Sequence, residues 1–193
     1  IYSFTRYGAP WISSSWLAQV LYALALAAFG WAGPVLLAAL GAACAFALLV
    51  HALGRRFAAV HAVLVGMAAV LVSLPHLLVR PHLLALPVMV AWVIGLADAA
   101  DARRAPSLWW LVLLALWANL HGSFVLGFAL VASFALDALW HAPPHARLTL
   151  ALCWVAFGLG ALAACCLTPY GWHSLLAARQ ILSLGGALAL IPE

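Results

Sequence analysis

Residues 116–125, LWANLHGSFV, decide how this chain folds, because they put polar groups between two long apolar runs. An asparagine, a histidine, a glycine and a serine lie within positions 119–123. If the two runs form one helix, these polar groups lie in its middle. If the chain reverses here, they lie at one end of two shorter helices. The composition and the arginines elsewhere in the chain distinguish the two arrangements.

The composition excludes an ordinary soluble domain. Of the 193 residues, 69% are hydrophobic and 6% are charged, whereas soluble globular chains are about half apolar and roughly a quarter charged. The formal net charge is +4, but the arginines occur singly or in pairs and form no basic patch, so we expect no nucleic-acid partner. We therefore expect an integral membrane protein whose partner is the lipid bilayer.

Apolar runs separated by short polar breaks predict an all-α, polytopic transmembrane bundle. A spanning helix needs roughly 20 apolar residues. We expect residues 1–33 to form an external loop with an interfacial or re-entrant helix at 16–29, capped by Ser13 to Ser15. Residues 168–193 are expected to form a second external loop, with an interfacial helix at 174–190. The intervening residues 34–167 are expected to hold about six spanning helices, at 34–53, 58–75, 83–97, 107–118, 123–140 and 148–167.

Arginines alternate between the breaks and so predict the topology. Cytoplasmic loops carry an excess of Lys and Arg. Successive breaks between the six runs fall on alternate sides of the membrane, and the breaks on one side contain a single arginine, Arg80. The other side carries Arg55, Arg56, Arg103, Arg104 and Arg147. We predict that this second side is cytoplasmic and that LWANLHGSFV is an external reversal, periplasmic if the protein lies in a bacterial inner membrane.

At the predicted cytoplasmic side, two aspartates lie close to two arginines in sequence. Asp98 and Asp101 precede Arg103 and Arg104 by a few positions. We expect these four side chains to pair with one another at the membrane interface.

The first external break, residues 74–82, contains an arginine and the starts of two Pro-His-Leu-Leu repeats, at 75–78 and 81–84. Proline lacks an N–H and disfavours helix before it, so Pro75 and Pro81 should end both flanking helices. Arg80 has two interpretations. It snorkels to the lipid headgroups, or its guanidinium binds phosphate through paired hydrogen bonds, with His82 beside it.

The second external break is predicted to lie below the membrane surface. About fourteen residues from Pro106 to Asn119 span roughly 21 Å as a helix, less than the ~30 Å hydrocarbon core. Irregular backbone at that depth must be buried or line a cavity. We expect Asn119 and His121 to line a recessed cavity, with Gly122 in the reversal and Ser123 capping the next helix. The alternative is a capped turn in which His121 bonds a neighbouring carbonyl.

The third external break, residues 168–173, reads TPYGWH and predicts a tight turn with Pro169 and Gly171 at favoured positions. Tyr170 and Trp172 are interpreted as anchors at the membrane interface, with substrate stacking as the alternative for Tyr170.

External histidines do not form a metal motif. Their spacing matches no ligand pattern and no carboxylate accompanies them, so we predict no metal site and no evident cofactor. The set is His76, His82, His121 and His173.

Taken in order, several short motifs resemble bacterial polytopic membrane proteins related to the GT-C glycosyltransferases, the superfamily that includes protein mannosyltransferases and aminoarabinose transferases. The resemblance covers nearly all of the chain. The motifs are YSFTRYGAPW at 2–11, WLAQ at 16–19, RPH at 80–82, WANLHG at 117–122 and TPYGW at 168–172.

This resemblance implies a polyprenyl-phosphate-linked sugar donor and transfer of the sugar to an acceptor at the outer face. It implies Arg80 and His82 at the lipid phosphate, and Asn119, His121 and Tyr170 toward the substrate. It also implies acidic residues in the first external loop, which we expect upstream of Ile1 in a longer parent protein. A divalent metal is a possible cofactor of that full-length protein. No catalytic residue is assigned.

Two other classes of function remain open from the sequence. One is a non-enzymatic lipid carrier or assembly subunit that uses the same cavity for binding only. The other is a haem- or metal-handling protein, suggested by the ten tryptophans and the external histidines. The oligomeric state is not predicted.

Overall fold

The predicted all-α fold is confirmed. In a computed structural model that describes residues 12–177, the chain forms α-helices joined by turns, and that range contains no strand. The expected helix at 174–190 is described only as far as residue 177, and the motif at 2–11 lies outside the described residues. The helices are α1 Trp16–Phe29, α2 Ala32–Gly54, α3 Ala59–Ser73, α4 His82–Asp101, α5 Trp110–Leu120, α6 Leu126–His141 and α7 Arg147–Cys165.

Five stretches within residues 12–177 are long and apolar enough to cross a membrane, and the chain is an integral membrane protein. They are Ala32–Gly54, Ala59–His76, His82–Asp101, Gly122–His141 and Pro144–Cys165.

The run expected to cross at 107–118 corresponds to α5, which starts three residues later and ends two residues later than predicted, and which is too short to cross a membrane. It has 11 residues, or about 16 Å at 1.5 Å per residue, against a hydrocarbon core of ~30 Å. Residues 102–109 form turns and extended chain, and α5 therefore begins only at Trp110. Its first residue, Trp110, packs directly on Gly95 of α4. The contact is so close that a Cβ added at Gly95 would lie 2.6 Å from the Trp110 ring. Thus α5 is a short helix held inside the bundle.

Aromatic residues form the centre of the bundle, between α4, α6 and α7. Trp92 is fully buried and stacks on Phe157 with ring centroids 5.7 Å apart. Trp154 meets the edge of the same Phe157 ring at 6.3 Å. The Trp92 indole N–H donates to the carbonyl of Gly127 at the start of α6. Large rings therefore fix the mutual positions of these three helices.

A glycine allows α2 to approach α4 closely. Pro87 lies inside α4 and has no N–H, so the carbonyl of Leu83 lacks its usual helical partner. Gly41 of α2 faces that carbonyl, and a Cβ added at Gly41 would lie 2.7 Å from its oxygen. Gly41 is 9 residues after the start of α2, so α2 extends about 13 Å beyond α4 at this end of the bundle.

At the opposite end, α2 and α4 are joined by ion pairs that differ from the prediction. Asp98 accepts from Arg55 at 3.1 Å and from Arg56 at 2.9 Å, and Asp101 accepts from Arg56 at 2.6 Å. The expected pairing of these aspartates with Arg103 and Arg104 is wrong. The chain turns sharply after α4, with a positive φ of 51° at Arg103, while α2, which runs parallel to α4, brings Arg55 and Arg56 alongside Asp98. We call this the basic end.

Candidate functional site

The three breaks predicted to share one side lie together at the end of the bundle opposite the basic end. The rings of His82 and His121, from the first and second breaks, have centroids 6.2 Å apart. The amide of Asn119 in α5 donates to the carbonyl of Leu167, which precedes the third break, at 2.9 Å. We call this the site end and define it by residues 74–82, 119–123 and 168–174. The reversal at LWANLHGSFV is confirmed.

Asn119 is the most connected polar side chain of the site end. It is 9% exposed, and its Nδ2 donates to the carbonyls of Ala115 at 2.7 Å and Leu167 at 2.9 Å. Its Oδ1 accepts from the indole Nε1 of Trp16 at 2.8 Å. Both donors of the amide are therefore used inside the protein, and Asn119 holds α1, α5 and the end of α7 together. A ligand contact would use the second lone pair of Oδ1.

Helix α1 contacts two of the three breaks. Besides the bond from Trp16 to Asn119, the hydroxyl of Tyr22 donates to the carbonyl of Arg80 at 3.0 Å. Burial raises the pKa of Tyr22, which keeps this donor protonated. The sequence reasoning assigned no site role to either aromatic. The available signal was that buried Trp and Tyr in an apolar helix need partners for their polar atoms.

The start of α1 also differs from expectation. Ser13 to Ser15 were predicted to cap it, but Ser15 at the cap position makes no side-chain cap bond. The Ser13 hydroxyl instead bonds Oε1 of Gln19 at 3.1 Å. The Ser14 hydroxyl faces Gly122, where a Cβ would lie 3.0 Å from it. The start of α1 thus packs against the reversal.

His121, not Ser123, caps the helical turn after the reversal. His121 has extended backbone, with φ −162°, and its Nδ1 accepts from the backbone N–H of Ser123 at 3.1 Å. The Ser123 hydroxyl accepts from the Trp117 indole at 3.0 Å and lies 2.8 Å from the same Nδ1. The prediction that Ser123 caps the helix is wrong, since the histidine occupies the cap position.

These bonds determine which ring nitrogen of His121 carries the proton. A neutral imidazole has one N–H and one acceptor nitrogen, and Nδ1 is the acceptor because a backbone N–H points at it. The proton therefore lies on Nε2, which has no hydrogen-bond partner among residues 12–177. Burial, and secondarily the neighbouring His82, lower the pKa of His121. At pH 7 it offers a neutral Nε2–H donor.

His82 has its proton on the corresponding nitrogen. Its Nε2 lies 3.2 Å from the carbonyl oxygen of His76, and a carbonyl only accepts. Nε2 therefore carries a proton, and in the neutral ring Nδ1 is an acceptor. The bond closes the first break, between the end of α3 and the start of α4. As predicted, both flanking helices end at this break, since α3 stops at Ser73 and α4 starts just after Pro81.

Arg80 is the cation of the site end. It is exposed, and within residues 12–177 no carboxylate lies within 4.0 Å of its guanidinium. Its backbone is held by Tyr22. This geometry is compatible with both interpretations from the sequence, reaching the headgroups and binding a phosphate.

The third break forms the predicted tight turn. The N–H of Gly171 donates to the carbonyl of Thr168 at 3.0 Å, and Gly171 has a positive φ of 54°. The hydroxyls of Thr168 and the buried Ser174 are bonded at 2.7 Å. Tyr170 is half-buried and its carbonyl accepts from His173. Its proposed contact with a substrate stays a prediction.

Acidic residues in the described part of the chain all lie away from the site end. Asp98 and Asp101 belong to the basic end, and Asp137 lies one turn before the end of α6, beside His141. Within residues 12–177, no group of three potential metal ligands is assembled. The described site end therefore presents an arginine and imidazoles without a carboxylate, which favours an anionic ligand.

The site end is recessed relative to α2. Gly41 of α2 lies level with Leu83 of α4, and α2 starts nine residues before Gly41. His82, the first residue of α4, therefore lies about 13 Å from the start of α2 along the helix axis, toward the middle of the bundle. His82 and His121 are both half-buried. The depth of the reversal below the membrane surface, and the cavity expected there, stay predictions.

Comparison with protein-family models, with curated proteins and with solved structures finds no match for this chain. Its function is therefore argued from the chemistry of the site end and from the resemblance of its motifs.

Proposed function

We propose that this protein binds a polyprenyl-phosphate-linked sugar at the site end, on the outer side of a bacterial inner membrane, as GT-C-like proteins do. Arg80 and His82 bind the phosphate, and His121 and Tyr170 face the sugar. Asn119 holds the surrounding helices and accepts from a sugar hydroxyl. One observation carries the proposal, namely that the rings of His82 and His121 lie 6.2 Å apart, with Arg80 two positions before His82, where residues 12–177 contribute no carboxylate.

The charges support a phosphate ligand. A guanidinium without an anionic partner retains its full set of N–H donors, and phosphate oxygens accept such donors in pairs. Arg80 lies two positions before His82, whose ring is 6.2 Å from that of His121. The neutral Nε2–H of His121 adds a donor without adding a charge to be desolvated.

The apolar surface next to Arg80 supports a lipid-linked donor. The end of α3 and the first break expose Leu71, Val72, Leu74, Leu78 and Val79. In a bilayer these side chains meet hydrocarbon, so a polyprenyl chain can lie along them while its phosphate reaches Arg80. A soluble phosphate compound would gain nothing from this surface.

Transfer of the sugar requires a general base in addition to the groups that bind the donor. In the reaction the bond between the anomeric carbon and the phosphate oxygen breaks, the acceptor oxygen bonds that carbon, and polyprenyl phosphate leaves. The acceptor proton must go to a general base within hydrogen-bond reach. The described site end offers imidazoles but no carboxylate for this role. The second candidate, which needs no general base, is a non-enzymatic carrier or assembly subunit that binds the same lipid.

Binding tests the proposal. The purified protein in lipid nanodiscs is titrated with polyprenyl phosphate and with the matching polyprenol, which lacks the phosphate. Arg80→Gln should weaken polyprenyl phosphate binding about ten- to a hundredfold, because a charge-assisted hydrogen bond is lost, and should leave polyprenol binding unchanged. Arg103→Gln removes the same charge from the opposite end and serves as the control. Equal binding of both lipids would reject the proposal.

Turnover separates the two candidates. The same nanodiscs receive a polyprenyl phosphate sugar and candidate acceptors, and release of free polyprenyl phosphate is measured. Release that disappears in Arg80→Gln supports the transferase. Tight binding without release for any acceptor supports the carrier.

A further inference from the structure

At the basic end, a charged pocket continues into an apolar groove. The pocket has a volume of about 550 Å³ and is lined by Arg55, Arg56, Asp98, Asp101, Ala102 and Arg104. The groove runs between α2 and α4 and has a volume of about 290 Å³. Its lining includes Leu49, Leu53 and Arg56 of α2 and Val90 and Val93 of α4. Arg56 lines both, so the two form one continuous surface.

The pocket retains positive charge after its internal ion pairs are made. Three arginines line it against two aspartates. Arg55 and Arg56 pair with Asp98 and Asp101, and within residues 12–177 no carboxylate lies within 4.0 Å of Arg104. The cavity therefore holds an excess guanidinium whose counter-charge is not supplied by the described chain.

The ion pairs also leave hydrogen-bond donors available. Arg55 uses only Nη1 in its bond to Asp98, and Arg56 uses only Nη2 in its bonds to Asp98 and Asp101. A guanidinium has five N–H donors. The aspartates thus orient the two arginines without exhausting them, and their remaining donors can bind an anion's oxygens together with Arg104.

We propose that this surface binds an anionic phospholipid, with the phosphate headgroup in the arginine pocket and an acyl chain in the groove between α2 and α4. Basic pockets between transmembrane helices at a membrane surface are suited to anionic headgroups. The groove residues are apolar except for Arg56, which matches a lipid whose charge is confined to one end. This site is independent of the site end and of the polyprenyl-linked ligand.

A lipid explains the combination better than a free anion does. Inorganic phosphate would fill the pocket and leave the groove empty, whereas a zwitterionic lipid would fill the groove without neutralising Arg104. The anionic lipid alone uses both surfaces. Variants of each surface therefore distinguish the three ligands.

The experiment measures which lipids stay bound. The purified protein is placed in nanodiscs made of equal parts phosphatidylglycerol and phosphatidylcholine. It is then released from the nanodiscs, and native mass spectrometry identifies the lipids that stay bound to it. Arg104→Gln should lower the occupancy of phosphatidylglycerol about fivefold relative to the wild type, as expected for one arginine near a membrane surface. Arg103→Gln, which removes the same charge one position away and outside the pocket, should not.

The groove has its own variant and control. Val93→Trp fills the groove and should also release phosphatidylglycerol, whereas Val60→Trp on the exposed face of α3, where Val60 is 59% exposed, should not. Addition of inorganic phosphate should not displace the lipid. The proposal is overturned if phosphatidylcholine is retained equally, if Val93→Trp has no effect, or if Arg103→Gln acts as strongly as Arg104→Gln.

Discussion

The indole N–H of Trp16 donates to Oδ1 of Asn119 at 2.8 Å, across 103 positions of sequence. This bond joins the first helix to the reversal between α5 and α6. Because Asn119 also bonds the carbonyl of Leu167, one amide connects distant parts of the chain at the site end. The arrangement of this end therefore depends on a few buried polar contacts.

Replacing Trp16 by phenylalanine should destabilise the fold. The variant leaves Oδ1 of the buried Asn119 without its donor, and an unsatisfied buried polar atom costs about 1–3 kcal/mol. Thermal unfolding in detergent measures the loss. Trp31→Phe is the control, since Trp31 is 83% exposed. Equal unfolding temperatures for the two variants would show that the bond does not matter.

Adding a methyl group at two helical glycines should have opposite effects. Gly41→Ala places a Cβ 2.7 Å from the Leu83 carbonyl oxygen, so α2 must move from α4 at a cost of about 1–3 kcal/mol. Gly158→Ala meets no atom within 4 Å and should stabilise α7 by about 0.5–1 kcal/mol, because alanine favours a helix. Unfolding curves of both variants check the signs. A stabilising Gly41→Ala would contradict the close approach of α2 and α4.

Two histidines should show opposite tautomers in one spectrum. His121 should carry its proton on Nε2, because Nδ1 accepts from the N–H of Ser123. His141 should carry its proton on Nδ1, because that atom lies 3.0 Å from the carbonyl oxygen of Asp137. Nitrogen-15 NMR of the histidine-labelled protein near pH 8 distinguishes the forms. A proton on Nδ1 of His121 would rule out the cap described above.

Stability should fall on acidification partly through His121. Its pKa in the folded protein is lowered by burial and by His82, so the neutral form is favoured in the folded state. The stabilisation is present above the unfolded pKa near 6.5 and is lost as pH falls through the folded pKa. One such group changes stability by at most about 1.4 kcal/mol per pH unit.

The measurement compares unfolding at pH 7 and pH 5. His121→Asn should reduce the loss of stability between the two values, whereas His61→Asn, on the exposed start of α3, should not. An identical loss in wild type and His121→Asn would contradict the assignment.

The sequence correctly predicted the features that depend on the lengths of the apolar runs and on the alternation of arginines between the breaks. The reversal at positions 119–123, the shared end of the three breaks and the turn ending at Gly171 were all predicted and are present. These features follow from local composition, because short clusters of proline, glycine and polar residues between apolar runs favour turns over helix.

The features that were missed depend on which helices are neighbours. Asp98 pairs with Arg55 and Arg56 because α2 packs along α4, and nothing in the residues around Asp98 indicates that neighbour. The partnership of Trp16 with Asn119 has the same origin. Ser123 was taken as the cap because serine is a common N-cap, but the extended backbone of His121 put the imidazole there instead.

The central claim is that the site end binds the phosphate of a polyprenyl lipid, and covalent mapping tests it most directly. A polyprenyl phosphate analogue with a photoreactive diazirine beside the phosphate is crosslinked to the protein in nanodiscs, and the labelled peptides are identified. The account predicts labelling within residues 74–82 and 119–123 that natural polyprenyl phosphate suppresses and that Arg80→Gln reduces. Labelling concentrated at the basic end, or spread evenly along the helices and unaffected by competitor, would contradict it.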